Sequence, residues 1–314
     1  MSIATRRVRR AGWAAVASGA IGLAARSRGA LTRSGVLGAM ITGTGISGAG
    51  GWDWGAALVY FFVSASALSK VAPAWKTSVA ADKFDKGSTR DMAQALANGG
   101  AATALALARA TSWGEAHATS LADAFAGALA TANADTWATE IGTLSQKAPR
   151  LITSGRRVAP GTSGGVTPLG LAASAAGAAT LGCAFALARL VMQGGAGAQT
   201  RTDRDGLATT GAALIGGVAG SVADSILGAT VQAMYWCPAC GAETERQRHR
   251  CGTATTRIRG LAWLTNDGVN AASTLLGAAT GAAVGALVRG AARWDSETRA
   301  SQQLARPCEH VTVL

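Results

Sequence analysis

The sequence predicts an all-α protein, a polytopic membrane helical bundle of about seven to eight spans. Three observations carry this reading: of 314 residues only 15% are charged, 49% are hydrophobic, and 42 are glycine. A soluble chain carries about 25% charged residues. Glycine and alanine let helices approach closely where lipid supplies no hydrophobic drive between them. Mean hydropathy is positive as well. A Gly/Ala-rich soluble α/β enzyme is the alternative that this composition leaves.

Apolar stretches over 11–25, 31–48, 53–69, 92–110, 117–134, 166–190, 207–233 and 267–288 are the expected spans. Several fall short of the ~20 residues that cross hydrocarbon. Trp13, Trp52, Trp54, Trp75, Trp113, Trp137, Trp236 and Trp263 sit near span ends, as an interfacial aromatic belt requires. Counting crossings puts the loops 70–91, 135–165 and 234–266 on one side. They carry Lys70, Lys76, Lys83, Lys86 and Arg90, then Lys147, Arg150, Arg156 and Arg157, then Arg246, Arg248, Arg250, Arg257 and Arg259. The opposite connections 49–52 and 111–116 hold no Lys or Arg, and 191–206 holds only Arg201 and Arg204. By the positive-inside rule the three basic loops are cytoplasmic, in a bacterial-type plasma membrane.

The first stretch strains this scheme, because parity places Arg6–Arg10 outside; a re-entrant or interfacial segment is the other reading. Those arginines followed by Ala11–Ala25 also have the charge and length of a signal peptide, but cleavage would remove a span and is not expected. The net charge of +12 is spread over loops rather than gathered in one patch. That fits phospholipid headgroups or phosphate substrates, not nucleic acid. Residues 1–290 are expected to form the bundle, with a cytoplasmic loop at 234–262, and 291–314 a C-terminal tail.

Carboxylates at or inside lipid-spanning segments are costly and read as functional by default. Ala134-Asp135-Thr136 and Ala223-Asp224-Ser225 echo each other. So do the preceding Ala126-Gly127-Ala128-Leu129 and Gly217-Val218-Ala219-Gly220. An internal repeat would place a site at its interface; chance in an Ala/Gly-rich chain explains the echo nearly as well. Between Asn133 and Glu140, helical spacing puts Thr136 and Glu140 on one face. Asn266 and Asn270 stand one turn apart around Asp267. If these segments converge, Asp135, Glu140, Asp224 and Asp267 supply the oxygens that hard Mg²⁺ prefers, with Asn133 and Asn270 orienting oxygens beside them. A solvated loop acid explains Glu140 alone, and an N-cap explains Asn266 or Asp267 alone.

Phosphate needs positive charge and backbone donors. Lys83, Lys86 and Arg90 supply charge, and Gln94 and Asn98 extend Arg90 as a polar row at helical spacing. Headgroup contacts and an interhelical polar pair are the plainer readings. Pro160-Gly161-Thr162-Ser163-Gly164-Gly165 is a glycine-rich turn entering a span, suited to an anion nest before a helix N-terminus. It lacks the Gly-Lys-Ser/Thr of a P-loop, and a flexible turn is the alternative.

Cys237-Pro-Ala-Cys240 followed by His249-Arg-Cys251 forms a Cys₃His set that fits tetrahedral Zn²⁺. A reducing cytoplasmic face disfavours a disulfide; redox or unligated thiols remain open. The set reads as a brace, not a catalytic centre. Cys183 and Cys308 have no evident partner.

The ordered motifs Lys83…Gly87-Ser88-Thr89-Arg90…Gln94-x-Leu96-Ala97-Asn98-Gly99-Gly100, Ala134–Gly142, Pro149-Arg150-Leu151-Ile152-Thr153, Pro160–Gly165, Gly220-Ser221-x-x-Asp224-Ser225 and Asn266-Asp267-x-x-Asn270 together resemble the phytyl-phosphate kinase family of integral membrane proteins. The resemblance covers roughly 31–290. A more distant likeness, through the pattern near Asp135 and Gly142, is to CTP-dependent polyprenol kinases and lipid cytidylyltransferases. It implies a Mg²⁺-dependent kinase that converts an isoprenoid monophosphate, such as phytyl or geranylgeranyl phosphate, to its diphosphate with CTP or another nucleoside triphosphate. Ser221, Ser225, Asn266 and Arg150 then join the phosphate-binding set, with the tail in a groove between Gly/Ala-rich helices. The rival readings are a lipid-phosphate cytidylyltransferase and, in another class, a transporter or lipid scramblase. Membrane lipids are the expected surroundings, and a homodimer is compatible with the sequence.

Overall fold

Each predicted apolar stretch falls largely within a helix, and local chemistry sets the helix ends. The structure, a computed structural model, describes residues 3–71, 89–193 and 199–304, with side chains over 5–71, 89–192 and 205–291. Helix α1 is Ile3–Ser27; α2, Arg33–Gly45, continues as a π turn over Ile46–Gly50; α3 is Trp52–Leu68 and α4 Met92–Arg109. A short α5, Ser112–Ala116, precedes α6, Ala118–Gly142. Then come α7, Pro168–Gln193, α8, Gln199–Thr230, and α9, Asn266–Leu304, which runs through the expected tail boundary at 290. Thr32 Oγ1 accepts the Gly35 N–H to cap α2, and Asp91 and Gln94 form a reciprocal capping box on α4. Pro168 opens α7 where a missing N–H costs nothing.

Among the described residues, three helical segments are long and apolar enough to cross a membrane: Pro168–Met192, Asp205–Thr230 and Asn266–Ala291. Among the described residues the architecture is not purely helical. Strands β1 (Arg150–Leu151) and β2 (Gly165–Val166) pair in one small sheet. Strands β3 (Met234–Cys237), β4 (Ala242–Thr244) and β5 (Thr256–Arg259) form a second, in the order β4-β3-β5. Both lie in loops whose polar, turn-rich composition gives no helical period, and short strand pairs satisfy their backbone groups instead.

Helix α6 is the hub, buried continuously from Leu121 to Ala134. A side chain at Gly127 would collide with the backbone of Gly277 and Gly281 on α9, and one at Gly216 on α8 would meet Gly127. Thr131 Oγ1 donates to Gly127 O at 2.9 Å and lies 3.3 Å from Gly216 O. This backbone-to-backbone approach is the packing that small residues permit in lipid. Trp54, Phe125 and Phe185 join α3, α6 and α7, their ring centroids 4.2, 6.0 and 5.1 Å apart.

The partners fix helix direction. Ser64 Oγ donates to Asn133 Oδ1 and Ser69 Oγ to Glu140 Oε1, so α3 and α6 run the same way. Asn133 Nδ2 donates to Gly177 O, and Gly142 abuts Gly170, so α7 runs back along α6. Helix α1 is one continuous helix packed along α2, with Ser18 against Gly43. Its Arg7 donates to Ala110 O and pairs with Glu115, at the end of the bundle opposite Arg90 and Glu140. At that same distal end Asp123, with no exposed surface, pairs with Arg289 and accepts from Thr209 Oγ1 at 3.0 Å.

Candidate functional site

Five helices bring their polar termini to one end of the bundle. The N-terminal ends of α4, α7 and α9 and the C-terminal ends of α6 and α8 surround a cleft of about 290 Å³. Helix N-termini present unpaired N–H groups and the positive end of the macrodipole, so three of them at one cleft favour an anion. Among its lining residues are Asp135, Thr136 and Glu140 from α6, Ser221, Asp224 and Ser225 from α8, and Asn266 and Asn270 from α9. Gln94 and Asn98 of α4, Arg90 just before it, and Gly161, Thr162, Ser163, Gly164 and Gly165 complete the predicted set there. Arg90 and Asn270, 180 positions apart in sequence, thus share one surface.

Arg90 is not in the helix, as its spacing to Gln94 had suggested. Its backbone bridges Leu31, donating to Ala30 O and accepting from Thr32 N, both at 3.0 Å, and its Nη1 lies 3.3 Å from Ser66 Oγ. Burial pulls its guanidinium below the ordinary arginine range, opposed by the charge of Glu140. Gln94 lines the cleft while its side-chain oxygen accepts the Asp91 N–H at 3.1 Å, and Asn98 Nδ2 donates to Gln94 O. Asp224 lies within electrostatic reach of both Asp135 and Glu245, and Ser273 donates to its Oδ2 at 3.1 Å.

The 160–165 turn needs its glycines. Gly161 and Gly164 have φ of +77° and +79°, a region that costs other residues about 1–2 kcal/mol. A Cβ on Gly164 would also strike the backbone of Ala229 on α8. Ser163 Oγ donates to Gln232 Oε1 at 2.8 Å, so this hydroxyl holds the turn in place.

Three predicted residues lie elsewhere. Asn133 is fully buried between Ser64 and Gly177 and joins helices instead of facing the cleft. Arg150 is exposed and donates to Gly155 O at 2.8 Å, bracing its own hairpin. Asp267, in the first turn of α9, is not among the lining residues; its neighbours Asn266 and Asn270 are. Helical geometry accounts for this, since Asp267 points about 100° away from Asn266. Lys83 and Lys86 lie outside the described residues. Two charged lining residues escaped the sequence reading, Lys147 and Glu245. Lys147 adjoins the Pro149-Arg150 motif, which was a usable signal. Glu245 had none, because it arrives through a long-range fold-back in which Gln232 Nε2 donates to Glu245 Oε1 at 2.8 Å.

Beside the cleft, Cys237, Cys240, His249 and Cys251 bring their ligand atoms within 4.8 Å of one another. Measured edges are 3.6 Å for Cys237–Cys251, 3.4 Å for Cys240–His249 Nδ1 and 3.2 Å for His249 Nδ1–Cys251. Bonds of ~2.0–2.3 Å in a tetrahedron give edges of about 3.3–3.8 Å, so the four atoms fit Zn²⁺. The sulfurs are too far apart for a disulfide, which needs ~2.05 Å. Hydrogen bonding from Thr253 and His249 lowers the Cys251 thiol to about 6.

Helical packing through glycine and three membrane-length apolar helices define an integral membrane protein of the helical-bundle class. The chain belongs to the family described as integral membrane protein DUF92, whose profile matches residues 16–278. It is similar to Protein PGR of Arabidopsis thaliana, 32% identical over 236 residues that cover 72% of this chain and 79% of that protein. No solved structure matches.

Proposed function

We propose that this protein is a Mg²⁺-dependent lipid-phosphate kinase that moves a phosphoryl group from a nucleoside triphosphate, CTP foremost, to an isoprenoid monophosphate. The single observation that carries the reading is the shared cleft. Among the described residues it is lined by two cations, Arg90 and Lys147, and four carboxylates, Asp135, Glu140, Asp224 and Glu245. With all four carboxylates ionised these described residues carry a formal excess of negative charge, which a divalent cation entering with the nucleotide would offset. Mg²⁺ needs only one or two protein carboxylates, with waters and phosphates as its other ligands. Asp135 and Asp224, from separate helices, fit that role. Glu140 stands nearer Arg90, and Asp267 leaves the ligand set.

The metal would neutralise charge on the nucleotide phosphates. Arg90 and the helix N-termini would hold the acceptor phosphate, and the 161–165 turn would cradle a donor phosphate. An acceptor monophosphate is largely dianionic near neutral pH, its second pKa being about 6. No strong base is required, and positioning with electrostatic stabilisation supplies the rate. The resemblance to phytyl-phosphate kinases supports the reaction class. In this reading the bundle crosses the membrane about seven to eight times and the cleft faces the cytoplasm. A transporter site would lie nearer the bilayer midplane, whereas this cleft is at the helix ends.

Product analysis tests the reaction. Purified protein, Mg²⁺, CTP and geranylgeranyl phosphate are expected to give geranylgeranyl diphosphate and CDP by mass spectrometry. CDP-lipid with pyrophosphate would instead establish a cytidylyltransferase, and lipid movement without nucleotide use a scramblase.

The Cys/His group is proposed to hold a structural Zn²⁺. Its sheet reaches the cleft through Gln232, and Arg259 donates to Ala229 O at 2.7 Å and Ser163 O at 3.2 Å. Cys237→Ser is expected to lose one zinc per chain by elemental analysis and to lower the melting temperature. An unchanged melting temperature in zinc-free protein would refute the brace.

A further inference from the structure

An apolar groove adjoins the polar cleft. This second cavity, about 470 Å³, runs between α1, α2, α3 and α4, lined by Ile21, Ala39, Ala56, Val59 and Phe62 among others. Arg90, Gln94 and Asn98 line both cavities. A half-buried cation therefore stands where the polar cleft and the apolar groove meet. From Phe62 to Trp52 on α3 the groove extends for ten residues, about 15 Å of helix. Its mean cross-section is then roughly 30 Å² (470 Å³ over 15 Å), room for one hydrocarbon chain and not for the two of a diacyl lipid. Trp52 stands at the distal end.

We infer that this groove holds the tail of a single-chain prenyl monophosphate, with its phosphate at Arg90 and its length limited by Trp52. The inference rests on the lipid-phosphate reading for the head and adds where the tail lies and what sets its length. Charge complementarity argues for the occupant: among the described residues that line the apolar groove, Arg90 at its mouth is the one cation, a partner for a phosphate head that an uncharged lipid lacks. Ala39 on α2 and Ala56 on α3 keep the channel open because each side chain ends at Cβ.

Two measurements test this. First, Ala39→Trp and Ala56→Phe block the channel from different walls. Each methylene kept out of an apolar site costs about fourfold in affinity. The ratio of kcat/KM for geranylgeranyl phosphate to that for dimethylallyl phosphate should therefore fall by on the order of 100-fold or more in each variant. Second, a farnesyl phosphate carrying a diazirine at its tail is photocrosslinked to the wild-type protein, with the labelled peptides read by mass spectrometry. Label on α2 and α3, competed by farnesyl phosphate but not by farnesol or phosphatidate, supports the inference. Equal competition by farnesol or phosphatidate would show a groove filled by bilayer lipid, and label elsewhere would place the tail elsewhere; either overturns it. Because crosslinking needs no turnover, absence of kinase activity in the wild type would sink the reaction while the label still decides the groove.

Discussion

Asp135→Asn and Asp224→Asn should each lower turnover by on the order of 10²-fold or more, with the protein still folded in detergent. Each substitution keeps the side-chain volume and removes one negative charge from the cleft. The two residues reach it from α6 and α8, which are held side by side by the Gly127–Gly216 approach. The closest contacts between α6 and α8 lie one to two turns away, at Thr131 with Gly220 and at Gly127 with Gly216. A structural role would instead show as a lower melting temperature with residual activity in proportion to folded protein. Steady-state kinetics and thermal melts on the same preparations separate the two outcomes. Near-wild-type turnover in either variant would remove that residue from the metal.

The second large effect is on stability and comes from the other end of the bundle. Asp123→Ala should destabilise the fold by about 3–5 kcal/mol, the cost of leaving a buried charge unpaired. Asp123 is fully buried, and Arg289 on α9 is only partly exposed. Thr209, which donates to Asp123, is itself contacted by Arg189 at 3.3 Å, so α6, α7, α8 and α9 are tied through this carboxylate. Replacing both partners by apolar residues, Asp123→Leu with Arg289→Met, is expected to recover most of the loss, because no charge is then left without its partner. Melting temperatures of the single and double variants in one detergent check this. A single variant as stable as the wild type would show that the pair contributes nothing.

The helices were legible because apolar composition alone marks a segment that lipid or a packed bundle can hold. The eight stretches and their helical state therefore follow from residue type. Convergence of Asp135, Asp224, Asn266 and Asn270 was legible for a related reason: polar residues at the ends of apolar stretches that alternate in direction must meet at one end. Asp267 and Asn133 failed as cleft residues because proximity in sequence does not say which face of a helix a residue takes. Asn133 is satisfied by Ser64 and Gly177 inside the bundle, and that partner set spans 69 and 44 residues of chain. Arg90 was placed in a helix that in fact starts at Met92, where Asp91 supplies the cap. The Cys/His loop was visible as a metal-type motif, but its strands and its anchor at Gln232 were not. Glu245 enters the cleft only through them. Asp123 was passed over because nothing near it in sequence names Arg289, 166 residues away, as its partner.

Divalent-cation binding tests the central claim most directly. Mn²⁺, an EPR-visible substitute for Mg²⁺, is titrated into purified protein with a non-hydrolysable CTP analogue. The account predicts Mn²⁺ held in a nucleotide-dependent site in the wild type and lost in the Asp135→Asn/Asp224→Asn double variant. Nucleotide binding would fall in parallel when the metal is withheld. Undiminished Mn²⁺ and nucleotide binding by the folded double variant would contradict it.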